Sequence, residues 1–239
     1  MSHPRVRSVL ISRLANKPPG SSQGEILDEL RRCILDGEVP PGSPIPVDGV
    51  AASFGVSRIP VREALMTLIG EGLVDHRART GYRVTKMTAE EFGEIYLVRE
   101  ALEIAALRVA IELADDGDDE QARAAHAALE AAIVAGGDGR AHHRESRRFH
   151  LALIRPCRMR RLLHMLTTAW NMTEPLQPMS HLDAAERELL HRDHEGMLAA
   201  FIARDTEALI TVCASHHHRL QAFIARLPHD TGLFSESGS

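Results

Sequence analysis

The sequence predicts a mostly α-helical chain in two parts, an N-terminal winged helix-turn-helix followed by an all-α antiparallel helix bundle. Three observations carry this. Between residues 21 and 86 a helical stretch, a short second helix, a glycine turn, a third helix and a β-type hairpin follow in close order. From Thr88 onward apolar residues recur at helical spacing with no strand pattern. Pro156, Pro175, Pro178 and Pro228 fall at the seams between those stretches, where helices end.

Residues 1–20, rich in Pro, Ser, Arg and Gly and running into "ANKPPGSSQG", read as a flexible leader. In "EILDELRRCILDGEVPPG", Ile26, Leu27, Leu30, Ile34 and Leu35 share a helix face, and Gly37 with Pro40-Pro41-Gly42 stops it. A short helix around "VDGVAASF" precedes a turn at Gly55. The next helix starts at Ser57, its N-cap, runs to about Gly70 and buries Leu65, Leu68 and Ile69. "LVDHRARTGYRVTKM" carries β-type residues on both sides of Thr80-Gly81, a two-stranded hairpin.

Thr88 and Glu91 form a capping-box pattern for a long helix that the acidic "DDGDDE" breaks. Further helices are expected at 118–135, 138–154, 158–172, 182–204 and 205–227. The domains are therefore a leader (1–20), the winged helix-turn-helix (21–86), the helical domain (87–228) and a flexible tail (229–239).

Composition narrows the function. Residues 1–86 hold 12 Lys+Arg against 9 Asp+Glu, a balance of +3, and residues 87–239 hold 16 against 24, a balance of −8. A basic module joined to an acidic one fits nucleic-acid binding by the first. Cys33, Cys157 and Cys213 show no paired spacing, the N-terminus has no signal-peptide pattern, and no apolar run reaches the roughly 18 residues a bilayer span needs. A cytoplasmic protein with no membrane partner is expected.

In "GVSRIPVREAL", Pro60 sits in the first helical turn, where its missing N–H costs nothing. Arg58 and Arg62 lie one turn apart and share a face. A guanidinium fork suits guanine O6/N7 or a phosphate, whereas a merely solvated arginine face is the bland alternative. Taken with "ILDGEVPPGSPI", "EGLV" and "TGYRV", residues 24–85 resemble the DNA-binding domain of GntR-type bacterial transcription regulators. That resemblance implies DNA contacts from Ser57, Arg58 and Arg62 and a wing tip at Gly81 near the minor groove. Gly49 departs from the family, which usually has a larger helix former there. A glycine in that helix is expected to weaken it by about 1 kcal/mol.

Among 14 histidines, His150, His194 and His216 each lie on the apolar face of a different helix. Hydrogen-bonded core histidines would look the same one at a time, but three converging imidazoles also build metal centres. "RRFHLAL", "DHEGMLAAFIARD" and "ASHHHRL" make residues 88–226 similar to the ligand-binding domain of the FadR branch of that family. The resemblance implies a divalent metal, zinc first, on His150, His194 and His216, with Ser146 where the family has Asp or Asn. It further implies a small-molecule carboxylate effector, with Ser146 and Arg99 among its contacts, and a homodimer on palindromic double-stranded operator DNA. There the effector favours one arrangement of the DNA-binding domains. Arg99 also reads as a surface i,i+4 pair with Glu103. Of His216-His217-His218, only one is expected to face inward.

The expected function is thus a ligand-responsive regulator, a repressor by family habit, and not an enzyme. A regulator sensing the metal itself is the first alternative. A metal-dependent hydrolase or lyase is weaker, since "HRDHE" matches neither H-E-x-x-H nor H-x-x-E-H. "DDGDDE" lacks the EF-hand spacing and reads as a solvated joint.

Overall fold

The computed structural model describes residues 8–14, 20–136, 139–226 and 234–235. The chain forms two compact units that divide between Thr88 and Ala89, with Asn171–Leu176 and residues 234–235 belonging to the first.

The first unit holds α1 (Val9–Arg13), α2 (Gln23–Leu35), α3 (Val47–Phe54), α4 (Arg58–Gly70) and a hairpin of β1 (Val74–Arg77) and β2 (Gly81–Val84). Ser22 and Glu25 close a reciprocal capping box at the start of α2. Gly55 adopts φ +63° between α3 and α4, a left-handed turn glycine enters without a Cβ penalty, and its N–H returns to Ala52 O. Arg31 of α2 grips Glu71, just past α4, through two hydrogen bonds of 2.8 and 2.7 Å. The wing pairs Val74 with Val84 and Arg77 with Gly81. Residues 42–45 run beside β2, bonding Gly42 N to Val84 O and Ile45 N to Tyr82 O.

Part of the expected flexible leader is instead helical. Leu10 and Leu14, one turn apart, are fully buried in the core with Ile26, Leu30, Val50, Phe54, Leu65 and Leu68. That i,i+4 pair was legible but was outweighed by the Pro/Ser/Gly composition around it. The remaining leader, 1–7 and 15–19, and all of the tail except 234–235 lie outside the described residues. α1 also accounts for Gly49: a Cβ there would come within 2.9 Å of Ile11 Cδ1 and 3.1 Å of its Cγ1. The family's larger residue is absent where Ile11 packs.

The second unit is a bundle of α5 (Ala89–Leu113), α6 (Asp116–Ala135), α7 (Arg140–Ile154), α8 (Arg160–Thr173, as far as Trp170), α9 (Ala184–Ile202) and α10 (Thr206–Ile224), with short 3-10 turns at Arg155–Cys157 and Pro178–His181. α6 packs on α7, and α10 lies against both α9 and α5. The acidic "DDGDDE" does more than break a helix. Asp115 and Asp118 cap α6 reciprocally, and the buried Asp119 accepts a 2.7 Å hydrogen bond from Arg204. Asp205 caps α10 through Ala208 N–H. Phe149, Leu153, Met197, Phe201, Leu209 and Trp170 fill the core between these caps. Among the described residues no helix is long and apolar enough to cross a membrane.

Candidate functional site

In the first unit, α4 presents Ser57, Arg58 and Arg62 to solvent, while Val61, Ala64, Leu65 and Leu68 anchor its opposite face. Ser57 occupies the N-cap position with extended backbone, but its side chain makes no capping hydrogen bond. Its hydroxyl is not committed to the helix start, where a cap would have held it. Arg58 pairs with Asp48 of α3, both side chains being well exposed. Gly81, at φ +75°, opens β2, and Arg77 at the end of β1 and Arg79 within the turn stand exposed at the wing tip. Those two arginines lie within "HRART", a stretch read only for its turn.

In the second unit, α7, α9 and α10 bring His150, His194 and His216 together, with ring centroids 4.6 to 5.1 Å apart. One nitrogen from each lies within 4.8 Å of the others, and the three residues are 0 to 4% exposed. Ser146, one turn before His150, is buried too, its Oγ 3.5 Å from His194 Nε2. Glu145 faces away to pair with Arg144 and Arg148.

Electrostatics favour neutral rings at His194 and His216. Burial, reinforced by the facing His216 and His150, holds His194 well below the usual imidazole range. Burial lowers His216 to about 4, although Asp193 at 3.6 Å from its Nδ1 pulls the other way. That separation is beyond hydrogen-bond range, and the Nδ1 atoms of His194 and His216 are both buried without a hydrogen-bond partner. Neutral imidazole is the form that ligates metals.

The arrangement fits a divalent ion. His150 Nε2 and His194 Nε2 are 3.2 Å apart, and zinc–nitrogen bonds of about 2.0–2.1 Å set tetrahedral ligands roughly 3.3 Å from each other. Glu103 of α5 accepts a hydrogen bond from His150 Nδ1–H, which leaves the Nε2 lone pair facing its neighbours. Beside them the Ser146 hydroxyl offers a weaker donor than a carboxylate would.

Two expectations are corrected here. His216 and His217 are both buried, because α10 is covered on two sides, by α9 and by α5. His217 Nε2 reaches Glu103 Oε2 at 3.0 Å. Arg99 and Glu103 are not a surface pair: Glu103 is fully buried and Arg99 is 8% exposed. The Arg99 guanidinium lies 4.3 Å from the Tyr96 ring and 5.2 Å from that of Trp170, which in turn meets His150 edge-on. Burial would raise the Glu103 carboxyl, but His150 and His217 reverse this and hold it well below the carboxylate range. Glu103 and His217 were missed as site residues. Glu103 lies seven residues after Tyr96, which is buried on the same helix, and that inward spacing was the available signal.

Two family profiles match the chain, the FCD domain over residues 94–219 and "Bacterial regulatory proteins, gntR family" over residues 22–84. The chain is 29% identical over 205 residues to a "Probable D-xylose utilization operon transcriptional repressor" of Paenarthrobacter nicotinovorans, covering 83% of this chain and 85% of that one. It is 28% identical over 187 residues to the HTH-type transcriptional regulator YdhC of Bacillus subtilis, covering 77% and 82%. The fold is similar to that of Escherichia coli McbR/YncC, with a TM-score of 0.76 at 23% identity over 86% of this chain and 98% of that one.

Proposed function

The chain belongs to the GntR family of bacterial regulatory proteins, its second unit being an FCD domain, and from that premise we propose a FadR-branch repressor that binds palindromic operator DNA as a homodimer. In this reading it responds to a small carboxylate held beside a metal centre. Relatives named as transcription regulators, not enzymes, support the regulator class. The observation that carries the DNA-binding part is the exposed start of α4, where Ser57, Arg58 and Arg62 stand beside free helix N–H groups. Phosphate contacts supply affinity and the arginine forks supply base discrimination.

For the sensing part, His150, His194 and His216 would hold a divalent ion, zinc first, and the ion would supply a Lewis-acidic anchor for a carboxylate. Glu103 orients His150, and the Ser146 hydroxyl leaves a coordination position that a ligand oxygen can take. Arg99, stacked on Tyr96 and Trp170, places a positive charge on this side of the centre, with Arg147 also over the Trp170 ring.

A second reading, in which the ion itself is the effector, is favoured by one observation. The three rings are packed to 4.6–5.1 Å and almost wholly shut from solvent. One experiment separates the two: affinity for the gene's own upstream DNA, measured in chelator, in zinc, and in zinc with a panel of carboxylates. A carboxylate sensor changes affinity 5- to 150-fold, a coupling of about 1–3 kcal/mol, only in the third condition. A metal sensor changes it in the second. No specific binding in any condition would contradict both.

A further inference from the structure

Next to the three-histidine centre, but distinct from it, Glu103, Cys213 and His217 gather a carboxylate oxygen, a thiol sulfur and an imidazole nitrogen within 4.8 Å of one another. The three residues are 0 to 1% exposed. Cys213 and His217 stand one turn apart on α10 and so share a face of that helix, and Glu103 comes from α5, which packs against it.

Ordinary core packing leaves one polar atom of this set, His217 Nδ1, unexplained. A carboxylate wholly removed from water needs compensating positive charge. The groups hydrogen-bonded to Glu103 are two imidazoles, His150 on Oε1 and His217 on Oε2. His217 also keeps its Nδ1 buried without a hydrogen-bond partner. Buried polar atoms left in this state call for an explanation, such as an ion. A thiolate, an imidazole and a carboxylate together are a donor set for a borderline-soft divalent ion, and three such ligands leave a fourth position for water.

We propose that Glu103, Cys213 and His217 form a second, buried site for a thiophilic divalent ion of the zinc type. Binding exchanges the Cys213 S–H proton for an S–metal bond, and the proton leaves to solvent. The ion's two positive charges then balance the Glu103 carboxylate and the Cys213 thiolate. Because Glu103 also orients His150, the carboxylate would link this site to the three-histidine centre.

The test is a cadmium titration of the full-length chain, reading ions retained per chain and the ultraviolet thiolate-to-cadmium charge-transfer band. The expected result is two ions and the band in the wild type, and one ion without the band in Cys213→Ser. His194→Ala, which disables the three-histidine centre, should keep the band. His217→Ala, with folding checked by circular dichroism, should lower the affinity read from the band by at least 100-fold and covers the case in which Cys213→Ser does not fold. A wild type that binds one ion and shows the band keeps this site and discards the three-histidine one. No band in the wild type, or a band that survives Cys213→Ser, overturns the proposal.

Discussion

Glu103 receives the Nδ1–H of His150 while its own side chain is fully buried, so the carboxylate sets which nitrogen of that ring faces His194 and His216. In a metal centre such a partner fixes both tautomer and ring orientation, and its loss typically costs 10- to 100-fold in metal affinity. Glu103→Gln should therefore weaken zinc binding by about that factor while leaving the helical content unchanged. Competition against a chelator of known affinity measures it, and an unchanged affinity would remove Glu103 from the site.

On the DNA side, Arg58→Ala and Arg62→Ala should each cost about 1–3 kcal/mol of operator binding if the side chain reads a base. A phosphate contact should instead lower the dependence of log affinity on log salt by about one unit. Electrophoretic titrations at three salt concentrations distinguish the two roles. Metal content should be the same in both variants, since the two arginines belong to the other compact unit.

Much of this was readable in advance, and the limits have physical reasons. Gly55 and the Thr80-Gly81 turn announce the helix-turn-helix and its wing, because local backbone chemistry dictates both. His150, His194 and His216 are marked by i±3 and i±4 spacing to Leu, Ile, Val or Met, a signal internal to each helix. His217 was not, because its burial depends on α5 covering a second side of α10, which spacing along α10 cannot reveal. Glu103 resembled half of a surface pair, since Arg99 and Glu103 have helix-pair spacing whichever way they face.

Gly49 allows a test of the α1 packing. Gly→Ala inside a helix ordinarily gains about 1 kcal/mol, but here the new Cβ would press on Ile11, 2.9 Å away, and on Pro46 Cγ at 3.3 Å. Gly49→Ala should add no stability to the wild type and up to about 1 kcal/mol to an Ile11→Ala chain, where of these two contacts only that with Pro46 remains. Urea unfolding of the four members of the cycle measures the coupling. Equal gains in both backgrounds would mean that Ile11 does not occupy that space.

The cysteines offer an independent check of both cores. Cys33, Cys157 and Cys213 are free and buried, and burial pushes the Cys33 thiol up to about 12. In metal-free protein at pH 8 a thiol-specific chromogenic reagent should label almost none of the three, and all three in guanidinium. Rapid labelling of one thiol in the native chain would show that its core is open.

The measurement that bears most directly on the sensing account is metal content per chain in purified protein, wild type against a His150→Ala/His194→Ala double variant. The account predicts at least one tightly held ion per wild-type chain and the loss of one ion in the variant. A wild type that retains no metal even after incubation with zinc would contradict it, and Ser146 would then mark a centre that has lost its ion.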